Sequence, residues 1–202
     1  MDARLSRRAL LAGASGGAAL ALVGTGAVGG VGIARAQAGS DAEILTRALT
    51  LEQVVIASYG AALRDGPGEP RLHTLLRRLR RQEREHADVL ASELDTLGVR
   101  APAVPGDDAA LARARAAQGL RHPLDQIVTA SDVARFAVEL ENAQITLYLE
   151  AVRELGAPRL LTLAAQIMAA EGQHATVLRG LLSELPEIVV PSPFETGDAA
   201  IP

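Results

Sequence analysis

From Asp41 onward, apolar residues recur every three or four positions in four long stretches. In the first, Leu45, Leu49, Glu52, Ile56, Tyr59 and Leu63 fall on one helical face, predicting a helix from Asp41 to about Arg64. Asp65-Gly66-Pro67-Gly68 then breaks the pattern with a turn. The second stripe, Leu72, Leu75, Leu79, Glu83, His86, Leu90, Leu94 and Leu97, predicts a helix from Pro70 to Leu97, with Gly98 as its stop. From Val99 to about Ala130 the pattern lapses. Pro102, Pro105 and Gly106 mark a loop, and Asp107 to Gln118 is expected as a short surface helix rich in Ala and Arg. So long a connection joins elements that are not adjacent antiparallel neighbours. The third stripe is Ala134, Val138, Glu141, Ile145, Tyr148, Val152 and Leu155, with Ser131 as the expected cap. After a turn at Gly156-Ala157-Pro158, the fourth runs through Leu160, Ala164, Ile167, Glu171, His174, Leu178, Leu181 and Leu185, beginning on a proline suited to a helix start. The expected fold is all-α: a four-helix bundle over residues 39–185, made of two antiparallel helical hairpins joined by a long crossover. Pro191 and Pro193 predict an extended tail over 186–202.

The stripes are not purely apolar, and the exceptions repeat. Glu83 to Leu90 and Glu171 to Leu178 both read E-x-x-H-A-x-V-L. Upstream of each, Leu51 to Tyr59 and Leu140 to Tyr148 both read L-E-[QN]-x-x-I-x-x-Y. The chain is therefore two copies of one unit. Glu52 and Glu83 are equidistant from the first turn, and Glu141 and Glu171 from the second. At 1.5 Å per residue both levels lie roughly 23 Å from their turns. The i, i+3 spacing puts Glu83 with His86, and Glu171 with His174, on one face. If the hairpins pack at matching depth, four carboxylates and two imidazoles meet at mid-bundle. A carboxylate facing a core costs on the order of several kcal/mol unless it is paired or coordinated. Two divalent metal ions balance four carboxylates, and an oxygen-rich shell with two imidazoles suits Fe or Mn better than structural zinc. Without metal, the cluster is expected to take up protons or to lose stability.

Composition sharpens this picture. The 202 residues are 49% hydrophobic but only 2% aromatic, favouring helices. There is no Cys, which excludes disulfides, iron–sulfur clusters and thiolate zinc sites. Net charge is −4, so nucleic acid is not an expected partner. Ser6-Arg7-Arg8-Ala9-Leu10-Leu11 is a twin-arginine motif, followed by a Gly-rich, weakly apolar stretch to about Ile33. Ala34-Arg35-Ala36 and Ala36-Gln37-Ala38 are small-x-small cleavage candidates. Residues 1–38 thus resemble a leader for the twin-arginine (Tat) export machinery, with an ordinary secretory signal or a retained membrane anchor as the alternatives. The protein is expected in the periplasm or outside the cell, or tethered to the membrane if the leader stays.

Glu, Glu-x-x-His, Glu, Glu-x-x-His on four helices resembles the ferritin-like di-iron and di-manganese carboxylate proteins, an arrangement that is a standard case for helical bundles. The resemblance covers about residues 42–185. It implies two Fe or two Mn ions per chain, with Glu83 and Glu171 bridging, Glu52 and Glu141 as terminal carboxylates, and His86 and His174 as terminal nitrogens. It also implies that Tyr59 and Tyr148 donate hydrogen bonds to ligand carboxylates, although core packing alone also accounts for them. Rubrerythrins carry a Cys-rich electron relay that this chain lacks. Classical ferritins lose the second Glu-x-x-His and add a cage-building helix, so cage-type storage is not expected here. The implied activity is oxidation of Fe²⁺ by O₂ or peroxide, or dismutation of peroxide. Metal sequestration without turnover, and a bundle with a vestigial site, are the alternatives. Metal ions and a small oxidant are the expected partners, and a homodimer is kept open. The arginines of the second helix read as a solvated face, His73 and His122 as surface residues, and Glu139 and Glu150 as solvated.

Overall fold

The computed structural model describes residues 27–123, 126–183, 189–190 and 196–197, with side chains from residue 37 on. The twin-arginine motif and most of the tail lie outside the described residues. Five helices follow in order: α1 (Ala27–Asp65), α2 (Pro70–Thr96), α3 (Asp108–Ala117), α4 (Ala130–Glu154) and α5 (Pro158–Arg179). Among the described residues there is no strand, and no helix is long and apolar enough to cross a membrane. The expected all-α bundle of two hairpins is the observed fold: α1 packs on α2, α4 on α5, and α1 on α4.

Local chemistry fixes the ends. The Glu69 carboxylate accepts from the N–H groups of Arg71 (3.1 Å) and Leu72 (2.5 Å), and Pro70 opens α2. The first orphan donors of that helix are thereby satisfied. Thr129, not Ser131, caps α4. Its hydroxyl accepts from Asp132 N at 3.1 Å, and the Asp132 carboxylate accepts from Thr129 N at 2.8 Å, a reciprocal capping box. The stripe pattern overran α5, which stops at Arg179 rather than near Leu185. From Gly180 the chain tightens into i→i+3 bonds, Leu181 N to Leu178 O and Leu182 N to Arg179 O.

The largest departure is at the front of α1. Asp41 reads as a helix start, yet the helix runs back to Ala27 and Asp41 lies inside it. The Asp41 carboxylate serves another helix: it accepts from the N–H groups of Gly156 (2.9 Å) and Ala157 (3.2 Å) at the start of α5. Ala157 has no capping side chain of its own, so α1 supplies the cap for α5.

The crossover is pinned rather than loose. α3 lies on α1, with Leu111 and Leu120 buried in the core and Arg64 paired to Asp108 at 3.0 Å. Glu139 is not solvated as expected. Its carboxylate accepts from the N–H groups of Arg121 (2.7 Å) and His122 (3.1 Å), fastening the crossover to α4. On α2, Arg71, Arg77, Arg78, Arg81 and Arg84 are exposed. Arg80 is half-buried and crosses α1 at Gly60, where its Nε donates to the Ile56 carbonyl at 3.0 Å. A Cβ at Gly60 would meet that guanidinium at 2.9 Å, so glycine makes the crossing possible.

The interior is apolar at both ends and polar between. One cluster gathers Leu51, Val55, Tyr59, Leu72, Leu76, Phe136 and Leu140. The other gathers Leu45, Leu49, Leu90, Leu94, Tyr148, Leu160 and Ile167. The layer between them holds Glu52, Glu83, Glu141 and Glu171, each with no solvent exposure.

Candidate metal centre

The register of the helices builds the site. On α1 and α4, Tyr59 reaches Glu141 while Tyr148 reaches Glu52. Seven residues forward on one helix correspond to seven backward on the other, so the two are antiparallel. On α2 and α5, His86 lies level with Glu171 and His174 with Glu83. The structure thereby brings together all six residues singled out by spacing: Glu52, Glu83, His86, Glu141, Glu171 and His174.

They fall into two overlapping sets of four. Glu52, Glu83, His86 and Glu171 form one, and Glu83, Glu141, Glu171 and His174 the other. Within each set, one ligand atom per residue lies within 4.8 Å of all the others. Glu83 and Glu171 belong to both. The two imidazoles lie roughly parallel, with ring centroids 6.3 Å apart. Nδ1 of His174 faces three carboxylates, at 3.0 Å from Glu83, 3.2 Å from Glu141 and 2.9 Å from Glu171. Nδ1 of His86 lies 3.0 Å from Glu171 and 3.4 Å from Glu83.

Tyr59 and Tyr148 donate to the carboxylates of Glu141 and Glu52, so each phenol serves the opposite hairpin. Two further residues belong to the site that spacing did not single out. The Gln144 amide Nε2 donates to Glu52 at 2.9 Å and to Glu83 at 3.0 Å. The Gln82 side-chain oxygen lies 3.0 Å from His174 Nε2. Gln144 stands three residues after Glu141, and that i, i+3 relation was the available signal. Gln82 is merely the neighbour of Glu83, and nothing in its position marks it out. His73 is half-buried, not a surface residue as expected, and His122 Nδ1 lies 3.5 Å from Glu139; neither belongs to the cluster's ligand sets.

The protein groups alone do not satisfy this layer. Glu83 Oε1, both oxygens of Glu171, His86 Nδ1 and Gln144 Oε1 are buried with no hydrogen-bond partner among the described residues. Several lie near an opposite charge, yet at angles that make no hydrogen bond. A buried polar atom left in this condition costs about 1–3 kcal/mol. Such atoms converging on two points are what cations would satisfy, so the residues fit a metal pair.

The electrostatics agree. Burial, then the charges of Glu83 and Glu171, hold the Glu52 carboxyl well above the usual range, against the lowering hydrogen bond from Tyr148. Burial and the charge of Glu83 do the same to Glu141, against the opposing pull of His174. Burial alone would raise Glu83 too, but the adjoining imidazoles of His174 and His86 bring it down to about 2. Burial disfavours both imidazolium ions, yet the facing carboxylates win, lifting His86 to about 9 and His174 to about 12. Burial and mutual repulsion thus favour the protonated forms of Glu52 and Glu141, and the facing carboxylates those of His86 and His174, as expected of carboxylates crowded without counter-charge.

Comparison with known proteins agrees with this architecture. The family model of the ferritin-like domain matches residues 40–184. The crystal structure of a conserved hypothetical protein, Rv2844, from Mycobacterium tuberculosis is similar, with a TM-score of 0.59 and 24% sequence identity. The match covers 71% of this chain and 97% of that one, and at such identity it speaks for the fold. No curated protein sequence matches the chain. With the family match spanning the two hairpins and the carboxylate–histidine layer between them, the chain belongs to the ferritin-like domain family.

Proposed function

We propose that this chain binds two iron or two manganese ions at the mid-bundle cluster and acts outside the cytoplasm as an oxidoreductase on Fe²⁺, O₂ or peroxide. The observation that carries the reading is the pair of four-ligand sets sharing Glu83 and Glu171, with buried atoms that have no hydrogen-bond partner among the described residues. In this assignment Glu83 and Glu171 would be shared by the two ions, Glu52 and His86 would hold one of them, and Glu141 and His174 the other. Carboxylate and imidazole donors without thiolate favour Fe or Mn. A bound metal pair supplies two electrons per turnover and a template for the oxidant.

The chain's own groups prepare the site. Tyr148 and Tyr59 fix the orientation of Glu52 and Glu141. Burial, reinforced by the neighbouring carboxylates, holds both phenols protonated, so they donate and do not compete as ligands. The apolar clusters above and below close the layer along the bundle axis. Burial raises the proton affinity of Glu52 and Glu141, so incoming cations compete with protons there.

The Arg7-Arg8 leader supports export of the folded chain, which allows metal loading before the membrane is crossed. Both small-x-small candidates, at 34–36 and 36–38, fall inside α1, so cleavage requires the front of that helix to unwind. N-terminal sequencing of exported protein separates a cleaved form from a tethered one.

Metal analysis of protein purified from its export route tests the whole reading. Two Fe or Mn per chain with consumption of peroxide, or oxidation of Fe²⁺, is the expected result. Metal without turnover moves the protein to sequestration. If neither metal is found and chelation leaves stability unchanged, only the bundle remains.

A further inference from the structure

The structure assigns Gln82 and Gln144 as positioning residues that make the two halves of the cluster unequal, the His174 half binding metal first and tightly, the His86 half second and exchangeably. This rests on the dinuclear reading above. The six ligands repeat between the hairpins, but the two amides do not. The residue before Glu83 is Gln82, whereas the residue before Glu171 is Ala170. The residue three after Glu141 is Gln144, whereas the residue three after Glu52 is Val55.

Each difference acts on a different half. The Gln82 oxygen faces His174 Nε2 at 3.0 Å. That contact favours a ring proton on Nε2, so that a cation would take the place of the proton on Nδ1, and it aims the ring at the carboxylates of Glu83, Glu141 and Glu171. An outer partner of this kind sets both tautomer and ring direction. Ala170 has no polar side chain with which to do the same for His86.

Gln144 acts on the other half in the opposite sense. Its amide donates to Glu52 and Glu83, at 2.9 and 3.0 Å, and both are carboxylates of the His86 set. A carboxylate oxygen engaged by an amide N–H is a poorer metal donor, so a cation entering this half must displace or share those bonds. Val55 imposes nothing comparable on Glu141. Solvent exposure points the same way. The His86 side chain is 16% exposed and that of His174 6%, so water and ions reach the His86 half. Pre-organisation, ligand competition and access therefore all rank the His174 half first.

The test is titration of the chelator-treated full chain with Mn²⁺, followed by calorimetry and by the electron paramagnetic resonance signal, which separates a lone Mn²⁺ from a coupled pair. Two steps are expected, with an isolated-ion signal at one equivalent that becomes a coupled signal at two. Gln82→Ala should weaken the first step by about 10–100-fold and leave the second nearly unchanged. Gln82→Glu, which keeps an acceptor oxygen, should restore it. Ala170→Gln, which supplies the missing amide to the His86 half, should draw the two steps together without touching any ligand. A single step with both ions bound from the outset overturns the inference while leaving the dinuclear site standing, as does equal weakening of both steps in Gln82→Ala. Absence of Mn²⁺ binding in the wild-type chain overturns the dinuclear reading itself.

Discussion

The α1–α2 and α4–α5 hairpins carry the same cluster residues at matching spacing, yet neither supplies the phenol or amide that orients its own. Every tyrosine and glutamine contact to the cluster crosses between them. Tyr148 and Gln144 of α4 serve Glu52 of α1, Tyr59 of α1 serves Glu141 of α4, and Gln82 of α2 serves His174 of α5. The duplication supplies the donor atoms twice; the docking of one hairpin on the other decides how each is oriented. The support is also uneven. Glu52 accepts from Tyr148 and Gln144, whereas Glu141 has Tyr59 and the His174 ring.

The largest test of that comparison removes what the hairpins share. Glu83→Ala and Glu171→Ala should each abolish binding of a second metal, since each carboxylate belongs to both sets; a variant that still carries two ions by elemental analysis would falsify the assignment. Glu52→Ala and Glu141→Ala should each leave about one ion per chain, because each touches one set only.

Acidity provides the next effect. His86 and His174, raised to about 9 and about 12, keep their protons in the fold after the unfolded chain loses its own near 6.5. Glu52 and Glu141 are also raised, so they act in the same direction from nearer 4.5 upward. A raised folded pKa gives stability that is full below the unfolded value and lost as pH rises through the folded one. Each such proton is worth about 1.4 kcal/mol per pH unit. Chelated protein should therefore melt at progressively lower temperature from pH 6.5 to pH 9. Metal competes with the same protons, so Mn²⁺ affinity should rise over that range. A chelated protein that gains stability over the same interval contradicts this account of the cluster.

The phenols sharpen the unevenness. Tyr59→Phe should weaken metal binding by about 10–100-fold, within the range for an outer partner of a ligand. Tyr148→Phe should cost less, because Gln144, bonded to the other oxygen, still orients Glu52 even though a cation must compete for that oxygen. Calorimetric titration showing the reverse order would mean that Gln144 does not support that carboxylate.

The smallest expected effect lies away from the metal layer. Asp41→Ala removes the cap that α1 gives α5 and should lower stability by about 0.5–2 kcal/mol. Urea unfolding should show a lower midpoint with an unchanged slope. No change in midpoint would mean that water replaces the carboxylate at no cost.

Much of the fold was legible because its signals are local and periodic. The stripes located the four long helices, and the Gly- and Pro-containing turns placed Glu52 level with Glu83 and Glu141 level with Glu171 before any packing was known. The six cluster residues stood out because charge inside an apolar stripe is costly and because the pattern occurs twice. Gln82 and Gln144 did not, since a glutamine in a helix is unremarkable until its neighbour across the bundle is known. Asp41 misled for a related reason. An acidic residue before an apolar run resembles a cap for the helix that follows, but its carboxylate is used by the start of a different helix.

The chain by itself determined two hairpins, their turns and a matched set of carboxylates and imidazoles, because helical periodicity and chain reversal depend on residues near in sequence. The tertiary structure alone decided which carboxylate each tyrosine holds, that α1 caps α5, that Glu139 fastens the crossover, and that one half of the cluster is braced where the other is open. Those contacts join residues from Glu139 and His122, 17 positions apart, to Asp41 and Ala157, 116 apart. Their geometry follows from how two bundles of side chains interlock, and no local pattern along the chain encodes it.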